Sequence, residues 1–214
     1  MDQDTEIINA STRNEKVKNF LTKNKKKIVI LFSSIILIIF GFFLYDEFKE
    51  KNKIKIANNY NIAIAKFNSG QKNNIEKELI NIVNAKDRTY SPLALYFLID
   101  NNILSDKVKI NELFDIVINE TSLEKEIKFL IIYKKALFNS DTESENNLIK
   151  MIDPLIKSDS IWKSHGLYLM AEYFYSKGEK QKSKEFYEQI INLENSNPKI
   201  KIETHKRLNR DFSE

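Results

Sequence analysis

A chain of 214 residues, 42% hydrophobic and 30% charged with a formal net charge of +4, has the length of one ordinary domain with appendages. Four glycines and three prolines are too few for a hairpin-rich all-β fold, and the absence of cysteine excludes disulfides, thiolate metal sites and cysteine nucleophiles. Residues 1–27 hold seven basic and four acidic side chains, residues 28–45 hold none, and residues 46–214 carry a net +1, which argues against a dedicated nucleic-acid binder.

The leader contains Val17, Phe20 and Leu21 at helical spacing among Lys16, Lys18 and Lys23. This pattern suits either a short amphipathic helix on anionic lipid or a disordered basic leader that only sets topology. From Ile28 to Tyr45, 18 consecutive residues carry no charge, and as a helix they span roughly 27 Å against a hydrocarbon core of ~30 Å. Ser33 and Ser34 can bond back to their own helix carbonyls, so they interrupt the apolar run at little cost. A core helix of a soluble domain would show a polar stripe, and this run has none. A cleaved export signal would be shorter and would end on small residues, whereas the exit here reads Phe42, Phe43, Leu44, Tyr45, Asp46, Glu47. The aromatics fit an interfacial belt, and the expectation is an uncleaved anchor. Seven Lys or Arg precede the span and four lysines (Lys49, Lys51, Lys53, Lys55) closely follow it, so the N-terminus is expected in the cytoplasm and the C-terminal part in the periplasm.

Beyond the anchor the apolar residues recur at three- and four-residue spacing. Ile56, Tyr60, Ala63, Ile64 and Phe67 form one stripe, and Ile75, Leu79, Ile82 and Val83 another after the Ser69-Gly70 break. Ser91-Pro92 opens a third helix through PLALYFLIDNNIL, which continues past Ser105-Asp106 into Ile110, Leu113, Phe114, Val117 and Ile118. Residues 123–138 form the next, stopping at Asn139-Ser140-Asp141, and Leu148, Met151, Ile152, Leu155 and Ile156 follow. The last pair is 161–177 and 180–193, split by Gly178, with a C-terminal helix over 199–210. The breaks near 70, 105, 140 and 178 recur every 35 to 38 residues or so, the period of stacked helix pairs.

The window from Ser164 to Pro198 resembles a tetratricopeptide repeat: Ala171 and Ser183 stand at its small positions, Phe174 and Tyr187 at its aromatic ones, and Gly178 at its turn. Ile190 replaces a small residue there, and the closing proline is displaced to Pro198. A weaker unit surrounds Gly70, with Ala63 at the first small position. The order of basic leader, single span and degenerate repeats, with the stretches TYSPLALYFLID (89–100) and MIDPLIKSDSIWKSHGLYLMAEYFYSKGE (151–179), resembles the YfgM-like family of bacterial inner-membrane proteins. Those are ancillary subunits of the Sec translocon. The resemblance implies a periplasmic domain that meets exported clients or passes them to periplasmic chaperones.

Catalytic signatures are missing: the sequence holds no Gly-rich phosphate loop, H-E-x-x-H, EF-hand loop or G-x-S-x-G. His165 and His205 are the two histidines, and the acidic run Asp141 to Asn147 reads as a solvated loop. No enzyme, cofactor, metal or small-molecule substrate is expected. The candidate functional feature is instead a peptide-binding groove lined by first helices of the pairs. His165, Tyr168, Glu172 and Tyr175 form one stripe, offset from the core stripe Leu167, Met170, Ala171 and Phe174, and Tyr60, Ile64 and Phe67 form its counterpart near the first turn. The same aromatics also suit packing between units, and Trp162 is expected at the junction of the third and fourth pairs.

The expected fold is all-α, one transmembrane helix followed by an α-solenoid of about four tetratricopeptide-like helix pairs and a C-terminal helix. It divides into a basic cytoplasmic tail (1–27), a transmembrane helix (28–45) and a periplasmic repeat domain (46–214). The expected function is a membrane-anchored protein–protein adaptor beside the Sec translocon. Two alternatives share this build: a scaffold for envelope assembly or cell division, and an envelope stress regulator acting through the cytoplasmic tail.

Overall fold

The computed structural model describes residues 15–212 apart from Val17, and every regular element among them is helical. Residues 1–14 of the expected tail, and Val17 of its apolar face, lie outside the described residues. Residues 18–23 are helical, with Phe20 and Leu21 exposed beside Lys18 and Lys23. At Asn24 a turn intervenes, its side-chain amide donating to the Phe20 carbonyl at 3.0 Å.

The first long helix, α1, runs from Lys25 to Asn68. Its N-terminal part is long and apolar enough to cross a membrane, and none of its most apolar 18-residue stretch is buried against protein. Ser34 donates back to the Ile30 carbonyl at 2.9 Å, so its hydroxyl is satisfied inside the helix. The chain divides into two compact units between Lys55 and Ile56.

In the second unit the end of α1 is followed by α2 (Ile75–Asn84), α3 (Tyr90–Asp100), α4 (Lys107–Asp115), a π-helical turn (Ile116–Glu120), α5 (Lys125–Asn139), α6 (Glu145–Ile156), α7 (Lys163–Ser176), α8 (Lys180–Asn192) and α9 (Pro198–Asp211). Their ends are local chemistry. Asp106 caps α4 by accepting from Val108 N and Lys109 N at 2.9 and 3.1 Å, and Asn197 caps α9 from Lys199 N and Ile200 N at 3.0 and 3.3 Å. Gly70 and Gly178 take φ of 82° and 79° and close α1 and α7 with the same pair of bonds. In the second case Gly178 N donates to Tyr175 O and Glu179 N to Phe174 O, at 3.0 and 2.9 Å.

The sequence expectation of a helix from Pro92 through Leu104 and onward is corrected here. Asn102 adopts a left-handed φ of 49°, its N–H bonds Ile99 O, and Ile103 N bonds Leu98 O at 2.9 Å, so α3 stops at Asp100. An asparagine thus ends this helix as the glycines end α1 and α7, because its short polar side chain tolerates that conformation. The wider π turn was also not expected, and it coincides with burial of both Val117 and Ile118.

One apolar core runs from Ile56 and Ala63 of α1 through Leu79, Leu95, Leu113, Ile131, Ile152 and Phe174. Each fully buried Leu or Ile contributes roughly 1.5–3 kcal/mol relative to exposure. A smaller cluster of Leu167, Ala171, Tyr187 and Ile190 joins α7 to α8, with Ile200, Leu208 and Phe212 laid against it from the C-terminal segment. Consecutive helices pack on one another, α2 on α3, α5 on α6 and α7 on α8, while α9 rests on both α7 and α8. Ser183 is fully buried and donates to the Ala171 carbonyl at 2.8 Å, so the two small residues let α7 and α8 approach closely.

Candidate functional site

The seven residues singled out from the sequence fall into two separate sets. Tyr60 on α1 meets the Tyr90 ring at 5.6 Å, Phe67 meets Phe97 edge-on at 5.2 Å, and Ile64 packs on the same core. All three are half-buried mortar between α1 and α3. The other four share one face of α7, as expected. His165 lies 5.0 Å from Trp162 and 5.8 Å from Tyr133, with Trp162 stacked nearly parallel to Tyr133 of α5. Trp162 therefore sits at the junction with the preceding pair. Burial pushes the His165 imidazole below its ordinary pKa, and its Nδ1 is buried without a hydrogen-bond partner.

Tyr168, Glu172 and Tyr175 do not line an empty groove, because α9 lies on them. Arg207 of α9 grips Glu172 with two nitrogens, Nε reaching Oε1 at 2.7 Å and Nη2 reaching Oε2. Tyr187 of α8 donates its hydroxyl to the same carboxylate, and Arg207 also bonds Asp211 at 3.0 Å. The Arg207 guanidinium stands 5.0 Å over the Tyr175 ring, and Phe212 meets Tyr175 and Tyr187 edge-on, both at 5.9 Å. Burial alone would raise the Glu172 pKa, but the Arg207 guanidinium and the Tyr187 hydroxyl outweigh it and hold the carboxyl below the usual range. Burial, and then the adjacent Glu172, push the Tyr187 hydroxyl far up, so it stays a donor. The physical reason for the closure is charge and apolar complementarity: the C-terminal segment brings Arg207, and Phe212 just past the helix, to an acidic, aromatic face of α7 and α8. The α1 and α7 sets face different neighbours and form no common lining.

A groove that the sequence reading missed lies between α3 and α5. It encloses about 420 Å³ and is lined by Pro92, Leu93 and Tyr96 on one wall and Leu123, Ile127 and Leu130 on the other. Arg88 and Glu124 stand at its rim. Leu93 and Ile127 remain 42% and 41% exposed, although their helix neighbours Leu95, Leu98 and Ile131 are fully in the core. The Tyr96 ring carries the Lys134 ammonium over its face at 3.9 Å, and its hydroxyl is buried with no hydrogen-bond partner. The sequence signal was masked: YSPLALYFLID is apolar on every side, so periodicity could not tell the core face from the free one.

Among the described residues no group of three His, Asp or Glu side chains gathers where it could hold a metal ion. What the arrangement offers is apolar contact area with a few polar groups beside it. Comparison with family models, curated proteins and solved structures finds no match for this chain.

Proposed function

We propose that the protein is a membrane-anchored adaptor whose helical domain, on the periplasmic side of a bacterial inner membrane, binds other proteins beside the Sec translocon. Under this reading the helix pairs are degenerate tetratricopeptide-like repeats stacked as a solenoid. Several features support the repeat reading: the close Ala171–Ser183 approach, the Gly178 turn, and the recurrence of the same helix ending at Gly70. The resemblance of the whole chain to the YfgM-like family supports the translocon assignment. The partners are translocon subunits, exported clients or periplasmic chaperones.

The observation that carries the proposal is the apolar stretch of α1. It exposes Phe32, Ile36, Leu37, Ile38, Phe40 and Phe43, none of which is covered by the other described residues, and lipid is the solvent that fits such a surface. An anchor of this kind confines the domain to the membrane surface and raises its effective concentration near any partner held in the same plane.

The test exploits the absence of cysteine. A single thiol at exposed Ser176 should react with a membrane-impermeant maleimide in spheroplasts. Labelling only after lysis would place the domain in the cytoplasm and end the periplasmic reading. A photo-reactive residue at position 93 should then capture translocon subunits in native membranes. Capture of septal or cell-wall proteins instead would favour the envelope scaffold.

A further inference from the structure

We propose that the short helix ahead of α1, over residues 18–23, lies on an anionic lipid surface and gives the protein a second, peripheral hold on the membrane. This rests on reading the apolar part of α1 as the span, and it decides between the two possibilities that the leader's pattern left open. Phe20 and Leu21 occupy neighbouring positions of this helix and are 63% and 49% exposed. At about 100° of rotation per residue, Lys23 falls within roughly 60° of Phe20 and Lys18 within roughly 60° of Leu21, while Asn19 and Thr22 face away. The apolar pair is thus edged by an ammonium on each side. In that arrangement the lysine stems can lie along apolar surface while their heads reach the phosphates. Asn24, which follows on the same side, is already satisfied: its side-chain amide donates to the Phe20 carbonyl at 3.0 Å.

Charge and reach name lipid as the occupant. Between positions 15 and 27 six exposed lysines stand against one acidic residue, Glu15, and along the described residues the first ion pair is Lys51 with Glu47. A basic cluster of this density beside a span is what anionic headgroups attract. Phe20 stands five positions before Lys25, no more than roughly 18 Å away even with the chain fully extended. Headgroups are therefore within its reach whenever the span is in the bilayer. From solution, two apolar side chains would hold a membrane only weakly. The span supplies the tether, so a weak local contact suffices. The helix is interrupted at Asn24 and α1 starts at Lys25, which lets the short segment turn from the axis of the span onto the surface.

The experiment uses the full-length chain in nanodiscs of phosphatidylglycerol or of phosphatidylcholine. Because the chain has no cysteine, single nitroxide-labelled thiols can be set at positions 19, 20, 21 and 22, with Leu37→Cys as the reference inside the span. Oxygen, which concentrates in lipid, and a neutral nickel chelate, which stays in water, report the surroundings of each label through its relaxation. In phosphatidylglycerol, labels at 20 and 21 should favour oxygen over nickel severalfold more than labels at 19 and 22. In phosphatidylcholine, in high salt, or with Lys18→Gln and Lys23→Gln combined, that contrast should fall at least about threefold. Phe20→Gln should return the label at 21 to water. Four positions equally open to nickel in phosphatidylglycerol, or the same contrast in both lipids, overturns the proposal. So does a contrast seen in native membranes alone, which would assign the face to a protein. With the label at 37 in lipid, each of these outcomes leaves the anchor reading intact. A label at 37 open to nickel would end that reading and this proposal together.

Discussion

Arg207 on the last helix and Glu172 on α7, 35 positions apart, form a two-pronged ion pair, and Tyr187 adds a third bond to the same carboxylate. With Phe212 wedged between Tyr175 and Tyr187, this pair closes α9 over the face of α7 that the sequence marked as a binding stripe. Arg207→Ala removes both prongs and the guanidinium over Tyr175. Because Glu172 keeps about a third of its side-chain surface in water, screening limits the loss to roughly 1–2 kcal/mol. Urea titration should show that loss. Amide exchange should speed up selectively in residues 199–211 and leave α3 to α5 unchanged.

The same pair makes stability depend on acid. Glu172 titrates below its ordinary value of 4.5 in the folded chain, so the folded state binds its proton less readily than the unfolded state does. Its contribution is complete above the unfolded value and is lost as pH falls through the lower folded value. The midpoint of unfolding should therefore drop as pH is taken below about 4.5. In Glu172→Gln that part of the drop should be absent, with lower stability at neutral pH.

Between α4 and α5, Asn139 is buried, and its side-chain amide exchanges two hydrogen bonds with that of Asn111, at 3.0 and 2.8 Å. Asn139→Leu leaves Asn111 Oδ1 without its donor in a half-buried site, while Asn111 Nδ2 keeps its bond to the Lys107 carbonyl at 3.0 Å, and should cost about 2 kcal/mol. The double change Asn111→Leu with Asn139→Leu removes both polar partners and should recover most of that loss. A double-mutant cycle by chemical denaturation measures the coupling.

At Gly166 a β-carbon would stand 3.1 Å from Leu155, 3.3 Å from Ile156 and 3.4 Å from Ile152. The small residue lets α6 and α7 meet. Gly166→Ala sets this crowding against a gain of about 1 kcal/mol in helix propensity, so its net effect should be small. Gly166→Val adds a branched side chain with no room and should destabilise by about 2–3 kcal/mol. Thermal melts of the three proteins order these effects.

Helix positions were legible wherever apolar residues alternated with polar ones. The stripe Ile75, Leu79, Ile82, Val83 is the buried face of α2, residue for residue, and of the stripe Leu148, Met151, Ile152, Leu155, Ile156 three are buried on α6, with Met151 and Ile156 half-buried beside them. Gly70 and Gly178 were legible as turns because only one residue type takes a left-handed backbone freely. Asn102 was not, since an asparagine inside an apolar run carries no such exclusive signature. The stripe His165, Tyr168, Glu172, Tyr175 does share one face, but the arginine that occupies it stands 35 positions beyond Glu172. The pairing of Arg207 with Glu172 has no local trace.

By itself, then, the sequence determined the helices, their ends at glycine, and one uncharged stretch long enough to cross a bilayer. All of these follow from interactions among residues within a few turns. Tertiary structure decided which faces are free: α9 covers α7, while the Leu93 and Ile127 faces of α3 and α5 stay exposed. Such choices depend on which distant helix packs where, and no pattern confined to a single helix carries that information.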